Sequence, residues 1–120
     1  MEVFSKILSV TDLNVRLAIP AKALQHFGNP GGRDLRVRDL LVRDWTEQEW
    51  NFRLSTRDGD HPKPVFTGDW GRFARAKGLQ VNDLLIFTQR EDGEYRIDVY
   101  RKTDFVLFGQ PIIRIHVDQA

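Results

Sequence analysis

The stretch Trp50-Asn51-Phe52-Arg53-Leu54-Ser55 says most about how this chain folds. Apolar residues at positions 50, 52 and 54 alternate with polar residues at positions 51, 53 and 55. Successive side chains of a β-strand point to opposite faces, so the alternation predicts a strand that is buried on one side and exposed on the other. The stretch therefore indicates a sheet that covers a core with one of its faces.

Short segments of strand-forming composition lie on both sides of this stretch and are bounded by turn-forming residues. The predicted strands cover residues 3–8, 17–19, a segment from 35 to 42, 65–66, 84–88, 95–100 and 111–117. In the segment that starts at residue 35, apolar residues occur on both alternating sides, which blurs its inward face. The polar cluster at residues 9–14 predicts a loop, because Ser, Thr, Asp and Asn favour turns.

Two short helices are predicted between the strands. The first covers Ala21–Phe27, follows Pro20, which suits a helix start, and ends at Gly28. The second starts after Asp69, whose side chain can cap a helix, and ends at Gly78. Many short strands combined with two short helices are typical of a closed or nearly closed β-barrel.

The composition is that of one globular domain over residues 1–120, with 41% hydrophobic residues. No apolar run approaches the ~20 residues of a membrane span, and no secretory signal opens the chain, so an intracellular protein without membrane contact is expected. The net charge of +1 is weak support for a nucleic-acid partner. Residues 1–82 carry thirteen basic and ten acidic side chains, and residues 83–120 carry five and seven.

Several kinds of chemistry have no residues to support them in this sequence. There is no cysteine, which excludes disulfides, thiol catalysis and zinc fingers. The three histidines, His26, His61 and His116, are far apart and lack the spacing of a metal site. No nucleophile with a base and no cluster of carboxylates occurs. We therefore expect neither a metal, nor any other cofactor, nor an enzyme.

Four short clusters occur in order along the chain. They are Lys6-Ile7-Leu8-Ser9-Val10-Thr11-Asp12, Arg16-Leu17-Ala18-Ile19-Pro20, Trp50-Asn51-Phe52-Arg53, and Gly68-Asp69-Trp70-Gly71-Arg72-Phe73 leading to residues 77–83. Their order resembles the plant B3 DNA-binding domain over about residues 4–102, which leaves residues 103–120 as a C-terminal extension. The loop between Asp12 and Arg16 is shorter than in hormone-related members, so the resemblance is to a divergent member outside the hormone-response type.

The resemblance implies a fold and a function. The fold is mainly β, a seven-stranded open β-barrel with two short helices, called a DNA-binding pseudobarrel. Two projections, residues 9–16 and 53–67, are expected to enter the major groove of double-stranded DNA. The chain would then act in the nucleus as a plant transcriptional regulator, with other transcription regulators as further partners.

The resemblance also implies which side chains face the DNA. In the first projection Asn14 suits an adenine edge, and in the second Arg57 and Lys63 suit guanine or phosphate. The second helix adds Arg72, close to Arg75 and Lys77. The full expected set is Lys6, Ser9, Thr11, Asn14, Arg16, Arg53, Ser55, Thr56, Arg57, His61, Lys63, Thr67 and Arg72.

Other roles remain open for some of these residues. Arg53 on its strand can equally pair with a neighbouring carboxylate, and Arg57 can pair with Asp58 or Asp60 in its own loop. The near-neutral charge also allows a different function for the same barrel. It would be a protein-interaction module in which DNA binding is weakened or absent.

Overall fold

The computed structural model of the chain describes residues 1–27, 37–56, 63–101, 106–107, 110–111 and 115–117. The helices within these ranges are α1 (Val10–Asn14), a 3₁₀ helix (Ala21–Phe27) and α2 (Trp70–Lys77). The strands are β1 (Glu2–Ile7), β2 (Leu17–Ala18), β3 (Val37–Asp44), β4 (Glu49–Ser55), β5 (Val65–Gly68), β6 (Leu84–Gln89), β7 (Tyr95–Arg101), β8 (Val106–Leu107), β9 (Gln110–Pro111) and β10 (Ile115–His116).

Within the described residues, seven strands follow one another side by side in the order β1-β6-β7-β3-β4-β5-β2. Neighbours are antiparallel except at one place, where residues 42–44 of β3 run parallel to residues 95–97 of β7. β1 and β2 follow each other along the chain, yet they form the two outer edges of this path. The arrangement confirms the predicted seven-stranded open β-barrel, and β10 adds a short strand beside β7.

The inward face of the sheet meets α2 in an aromatic core. Trp50, Phe52 and Leu54 are 3%, 0% and 6% exposed, which confirms the buried face that the alternation predicts. The Phe52 ring lies 5.9 Å from Trp70 and 5.7 Å from Phe73, both edge-on. Burial of each such side chain contributes roughly 1.5–3 kcal/mol, so α2 is held in place mainly by its apolar face.

Helix α2 begins after Asp69 and ends at Gly78, as predicted, but Asp69 does not cap it. Gly78 adopts a left-handed φ of 64°, which glycine accepts without strain, and its amide bonds back to the last turn of the helix. Asp69 stands at the N-cap, but its side chain makes no capping hydrogen bond, so the predicted cap is wrong. Its carboxylate instead accepts from the Asn51 amide at 2.9 Å and pairs with Arg72 at 2.9 Å. These contacts tie the helix to β4.

The first predicted helix, Ala21–Phe27, is confirmed as a 3₁₀ helix. Its first turn is closed by the Ala23 amide, which donates to the Pro20 carbonyl at 2.9 Å. Gly28, the predicted end, lies outside the described residues.

Two predicted strands can be described more closely. β3 covers Val37–Asp44, and residues 35 and 36, where the predicted strand starts, lie outside the described residues. The inward side of β3 is the one with Leu40 and Val42, while Val37 and Leu41 are 52% and 62% exposed. The predicted strand over residues 111–117 includes parts of two strands, and residues 112–114 lie outside the described residues. Its beginning belongs to β9, which pairs with β8, while its later part is β10, which pairs with β7.

Candidate nucleic-acid interface

An open cleft of about 500 Å³ lies where the two predicted DNA-facing projections meet. Its walls come from the first projection, from β2 and the residue that follows it, and from the described parts of the second projection. The lining residues are Thr11, Arg16, Ala18, Ile19, Ser55, Thr56, Lys63, Pro64 and Val65. Five members of the expected DNA-facing set are thus brought to one place from three separate parts of the chain.

Strand register extends the cleft onto the outer face of the sheet. Ser55 pairs with Val65 of β5 on one side and with Val37 of β3 on the other. The next outward row places Arg53 between Thr67 and Asp39. Because neighbouring strands lie about 4.8 Å apart, each row spans roughly 10 Å, comparable with the width of a DNA groove.

The first projection contains a helix that the sequence analysis predicted as a loop. Ser9 caps α1, since its hydroxyl accepts from the Asp12 amide at 3.2 Å while the Asp12 carboxylate accepts from the Ser9 amide at 2.8 Å. This reciprocal pair is a capping box. The Ser9-x-x-Asp12 spacing was the signal that could have revealed it, because Ser three residues before an acid favours a helix start.

Asp12 is the most buried polar residue of this projection, at 1% exposure. Besides Ser9, its carboxylate accepts from the Lys6 ammonium at 3.0 Å and from the Ala18 amide at 3.1 Å. Its backbone carbonyl accepts from the Trp70 indole at 2.8 Å. Burial by itself raises the pKa of Asp12, but the hydrogen bonds from Ser9, Lys6 and Ala18 outweigh it, and the pKa lies below its ordinary value.

Lys6 is placed differently from the expectation that it faces phosphate. Its ammonium donates to the Asp12 carboxylate and to the Ala18 carbonyl, at 3.0 and 2.9 Å, and its side chain is only 21% exposed. The resemblance did not reveal this, because the partners come from a folded projection and from another strand. Lys6 therefore stabilises the projection from within.

Arg53 and Arg72 lie on the surface, and each is paired. Arg53 donates to Asp39 at 3.1 Å, so the alternative of a neighbouring carboxylate is the arrangement in the structure. Arg72 pairs with Asp69 at 2.9 Å, and its guanidinium lies 5.4 Å from the centre of the Trp50 ring. Both arginines are more than half exposed and remain accessible to phosphate.

The expected cluster of three cations on α2 does not form. Lys77 is only 9% exposed and pairs with the buried Asp44 at 3.3 Å, while also lying 5.1 Å from the Trp45 ring. Arg72 and Arg75 remain on the exposed side of the helix. Helix periodicity places residue 77 on the opposite face from residue 75, which explains the difference.

The remaining expected residues divide into described and undescribed ones. Ser9, Asn14 and Lys63 are exposed, and Thr67 is half-buried on the outer row. Thr56 lines the cleft, and among the described residues its Oγ1 is a buried side-chain atom with no hydrogen-bond partner. Arg57 and His61 lie outside the described residues, so their expected contacts stay predictions.

A metal site needs several ligating side chains close together, and a membrane span needs a long apolar helix. Among the residues that the structure describes, no group of three or more His, Cys, Asp or Glu side chains is arranged to hold a metal ion. In the same part of the chain, none of the helices has the length and apolar character needed to cross a membrane.

Comparison with known proteins identifies the family. The model of the B3 DNA binding domain matches residues 4–103. This chain belongs to the B3 DNA-binding domain family. Auxin response factor 13 of Arabidopsis thaliana is 33% identical to this B3 domain over 104 residues, covering 82% of the chain and 17% of the relative. A putative B3 domain-containing protein of Oryza sativa subsp. japonica is 30% identical over 99 residues, covering 79% and 32%.

Those coverages mean that this B3 domain spans about a sixth to a third of the length of these relatives. Several auxin response factors are among the relatives, with identities between 26% and 33%. The expectation that the chain stands outside the hormone-response type stays a prediction.

Solved structures show the same fold at low sequence identity. The Arabidopsis FUS3-DNA complex matches with a TM-score of 0.70 and 22% identity, covering 82% of this B3 domain and 96% of that chain. The complex of the Arabidopsis thaliana transcription factor LEC2 with DNA matches with a TM-score of 0.69 and 19% identity, covering 82% and 92%. These matches confirm the pseudobarrel fold.

Proposed function

We propose that this B3 domain binds double-stranded DNA, with residues 9–16 and 53–67 in the major groove. In this role it is the DNA-reading part of a nuclear plant transcriptional regulator, and it binds without catalysing a reaction. The observation that carries the proposal is the cleft, which brings Thr11 and Arg16 together with Ser55, Thr56 and Lys63.

The chemistry of the cleft suits a duplex edge. Arg16 and Lys63 both line the cleft, both are exposed, and both supply positive charge. Hydroxyls of Thr11 and Ser55 line the same cleft and can donate to or accept from phosphate oxygens or base edges. Cations combined with short polar groups suit a DNA-binding surface, because cations make positioning contacts with phosphate and polar groups can read base edges.

The row of Asp39, Arg53 and Thr67 on the outer face of the sheet extends the proposed DNA site. Arg53 and Thr67 lie beside the cleft on neighbouring strands, so one continuous surface runs from the first projection to β4. On this surface a phosphate can replace Asp39 as the partner of Arg53. A relative is described as bound to DNA in its solved complex, and it shares this fold over most of the chain.

The test is a titration of a labelled random-sequence duplex, followed by fluorescence anisotropy at two salt concentrations. The variants Arg16→Glu and Lys63→Glu are compared with Arg90→Glu, an exposed arginine in the turn between β6 and β7. We expect binding to weaken as salt rises. The slope of the logarithm of the binding constant against the logarithm of salt concentration should be smaller in magnitude by about 0.9 for each phosphate that a cleft variant no longer neutralises. Arg90→Glu has the same charge change and should retain more of the slope.

Equal binding by the cleft variants and the wild type would show that DNA does not use the cleft. A second candidate function then gains weight, because Val37 and Leu41 expose apolar surface on the outer face of β3. That function is docking of another transcription regulator on the barrel. It requires absence of duplex binding at low salt, together with binding of the regulator that survives high salt.

A further inference from the structure

We infer that Asp12 is a positioning residue for DNA recognition, which holds the first projection in its binding geometry without touching DNA itself. The inference rests on the proposed function and deepens it. Its basis is that a single buried carboxylate joins three segments of the chain at the base of the projection.

The first step concerns the edges of the sheet. β1 and β2 are the two ends of the seven-strand path and are not paired with each other. Lys6 lies on β1 and Ala18 on β2, and both donate to the same Asp12 oxygen. Lys6 also donates to the Ala18 carbonyl, so Asp12 and Lys6 together connect the two edges across the gap that the projection spans.

The second step concerns the projection itself. The other Asp12 oxygen accepts from the Ser9 amide, and the Asp12 amide donates to the Ser9 hydroxyl, which together set the start of α1. Thr11 follows within the helix, and Arg16 lies just beyond it. The Thr11 carbonyl accepts from the Arg16 amide at 3.4 Å. Thr11 and Arg16 therefore belong to a helical turn whose start is set by the bonds between Asp12 and Ser9.

The third step adds the helix behind the projection. The Trp70 indole, at 1% exposure, donates to the Asp12 carbonyl at 2.8 Å. The aromatic face of α2 packs against β4, so the Trp70 bond attaches the projection to the core. A binding group performs well only when its supporting contacts hold it within a fraction of an ångström, which is the role that these bonds serve.

The structure supplies a matched control in Asp44, the second deeply buried aspartate. Asp44 is 0% exposed, accepts from the Trp50 indole at 2.8 Å and pairs with Lys77 at 3.3 Å. It lies at the far end of β3 from Val37, whose partner Ser55 lines the cleft. Seven residues of strand put it roughly 23 Å away. Loss of Asp44 therefore disturbs the core without reaching the projection.

The experiment compares Asp12→Asn with Asp44→Asn, each measured for thermal stability and for binding to the random-sequence duplex at a temperature where both are folded. In Asp12→Asn the new amide group faces an N–H donor whichever way it is oriented, because both carboxylate oxygens accept. We expect its Kd for duplex to rise about tenfold or more. Asp44→Asn should lose stability while its Kd changes less than about twofold.

A second pair of variants keeps the inference testable if Asp12→Asn does not fold. Trp70→Phe removes the indole donor to Asp12, and Phe73→Leu removes a similar amount of core from the same helix without removing that bond. We expect weaker DNA binding for Trp70→Phe than for Phe73→Leu at equal stability. Equal Kd values within each pair would overturn the inference, whereas a wild type that binds no duplex at low salt would overturn the proposed function.

Discussion

Arg53 and Arg72 each form an ion pair with an aspartate on the surface where DNA is proposed to lie. The Arg53–Asp39 pair is more than half exposed on both sides, so it contributes only about 0–1 kcal/mol to stability. A phosphate can displace such a partner at small cost, but the aspartate still repels the phosphate. The two acids therefore reduce the affinity of this surface for any duplex.

Removal of Asp39 tests this competition. We predict that Asp39→Asn strengthens binding to a random-sequence duplex at low salt. If Arg53 then contacts one more phosphate, the slope of the logarithm of the binding constant against the logarithm of salt concentration should steepen by up to about 0.9. Fluorescence anisotropy at several salt concentrations measures both quantities.

Asp92→Asn is the matched control for that variant. Asp92 and Asp39 line the same groove, so the loss of charge is equal and nearby, but the Asp92 carboxylate accepts from the Glu94 amide and is not paired with Arg53. If both variants strengthened binding equally, the loss of one negative charge would explain the effect, and the release of Arg53 from its ion pair would not.

Among the elements, those with a clear local pattern could be predicted from the sequence. The alternation at residues 50–55 and the apolar face of α2 each reflect a strong periodicity, and both are confirmed by burial. α1 was missed because its five residues are polar or β-branched, apart from Leu13, and only the Ser9 to Asp12 spacing favours a helix. The inward side of β3 stayed ambiguous because Val37 and Leu41 are apolar yet exposed, which local pattern cannot distinguish.

β10 shows what holds a two-residue strand in place. The His116 ring is stacked between Trp45 at 4.8 Å and Tyr100 at 4.6 Å, and its Nε2 lies 2.9 Å from Asp98. β10 pairs with residues 100–101 of β7, and residues 95–97 of the same strand pair with β3. A strand of this length needs such side-chain contacts, because its own ladder has too few hydrogen bonds.

We predict that His116→Ala lowers the free energy of unfolding by about 1–2 kcal/mol, since aromatic pairs contribute about 0.5–1.5 kcal/mol each. Duplex affinity should be unchanged. Urea unfolding measures the first effect and anisotropy the second. His26→Ala is the control, because the His26 group that accepts from the Tyr95 hydroxyl is the backbone carbonyl, which the substitution keeps. Equal stability of the two variants would show that the stack does not hold β10.

For the whole molecule, the sequence predicted that the two projections belong to one proposed interface, but it could not predict the ion pairs of their basic residues. The resemblance placed both projections, and the cleft lies between their described parts. The partners of Lys6, Arg53 and Lys77 come from other strands and turns, so their pairing depends on the fold and not on neighbouring sequence. A basic residue in a DNA-binding sequence is therefore not by itself a contact.

Two of the three buried aspartates in the described part of the chain, Asp12 and Asp44, also affect the acid stability of the molecule. Burial raises the pKa of Asp44, but hydrogen bonds from Thr46, Trp50 and Lys77 outweigh it, so its pKa lies below the ordinary value of 3.8, as does that of Asp12. A lowered pKa contributes stability above the unfolded-state value, and that contribution is lost as pH falls through the folded-state value.

We therefore predict that the free energy of unfolding declines as the pH drops below about 4, and that Asp12→Asn or Asp44→Asn makes the decline shallower. Urea unfolding between pH 7 and acid conditions measures it. Asp92→Asn, which alters an exposed turn, should keep the slope of the wild type. An identical slope for all three variants would mean that other groups control acid unfolding.

The separation of β1 from β2 at opposite edges of the path has a consequence for the order of folding. β3, β4 and β5 form a local meander, and β6 with β7 forms a hairpin, so both units can assemble from neighbouring sequence. β1 pairs with β6 across about eighty residues, and β2 pairs with β5 across nearly fifty. Closing such long loops costs chain entropy. The projection that is proposed to face DNA joins two strands whose partners are both distant in sequence, so the proposed recognition surface is complete only after these long-range pairs have formed.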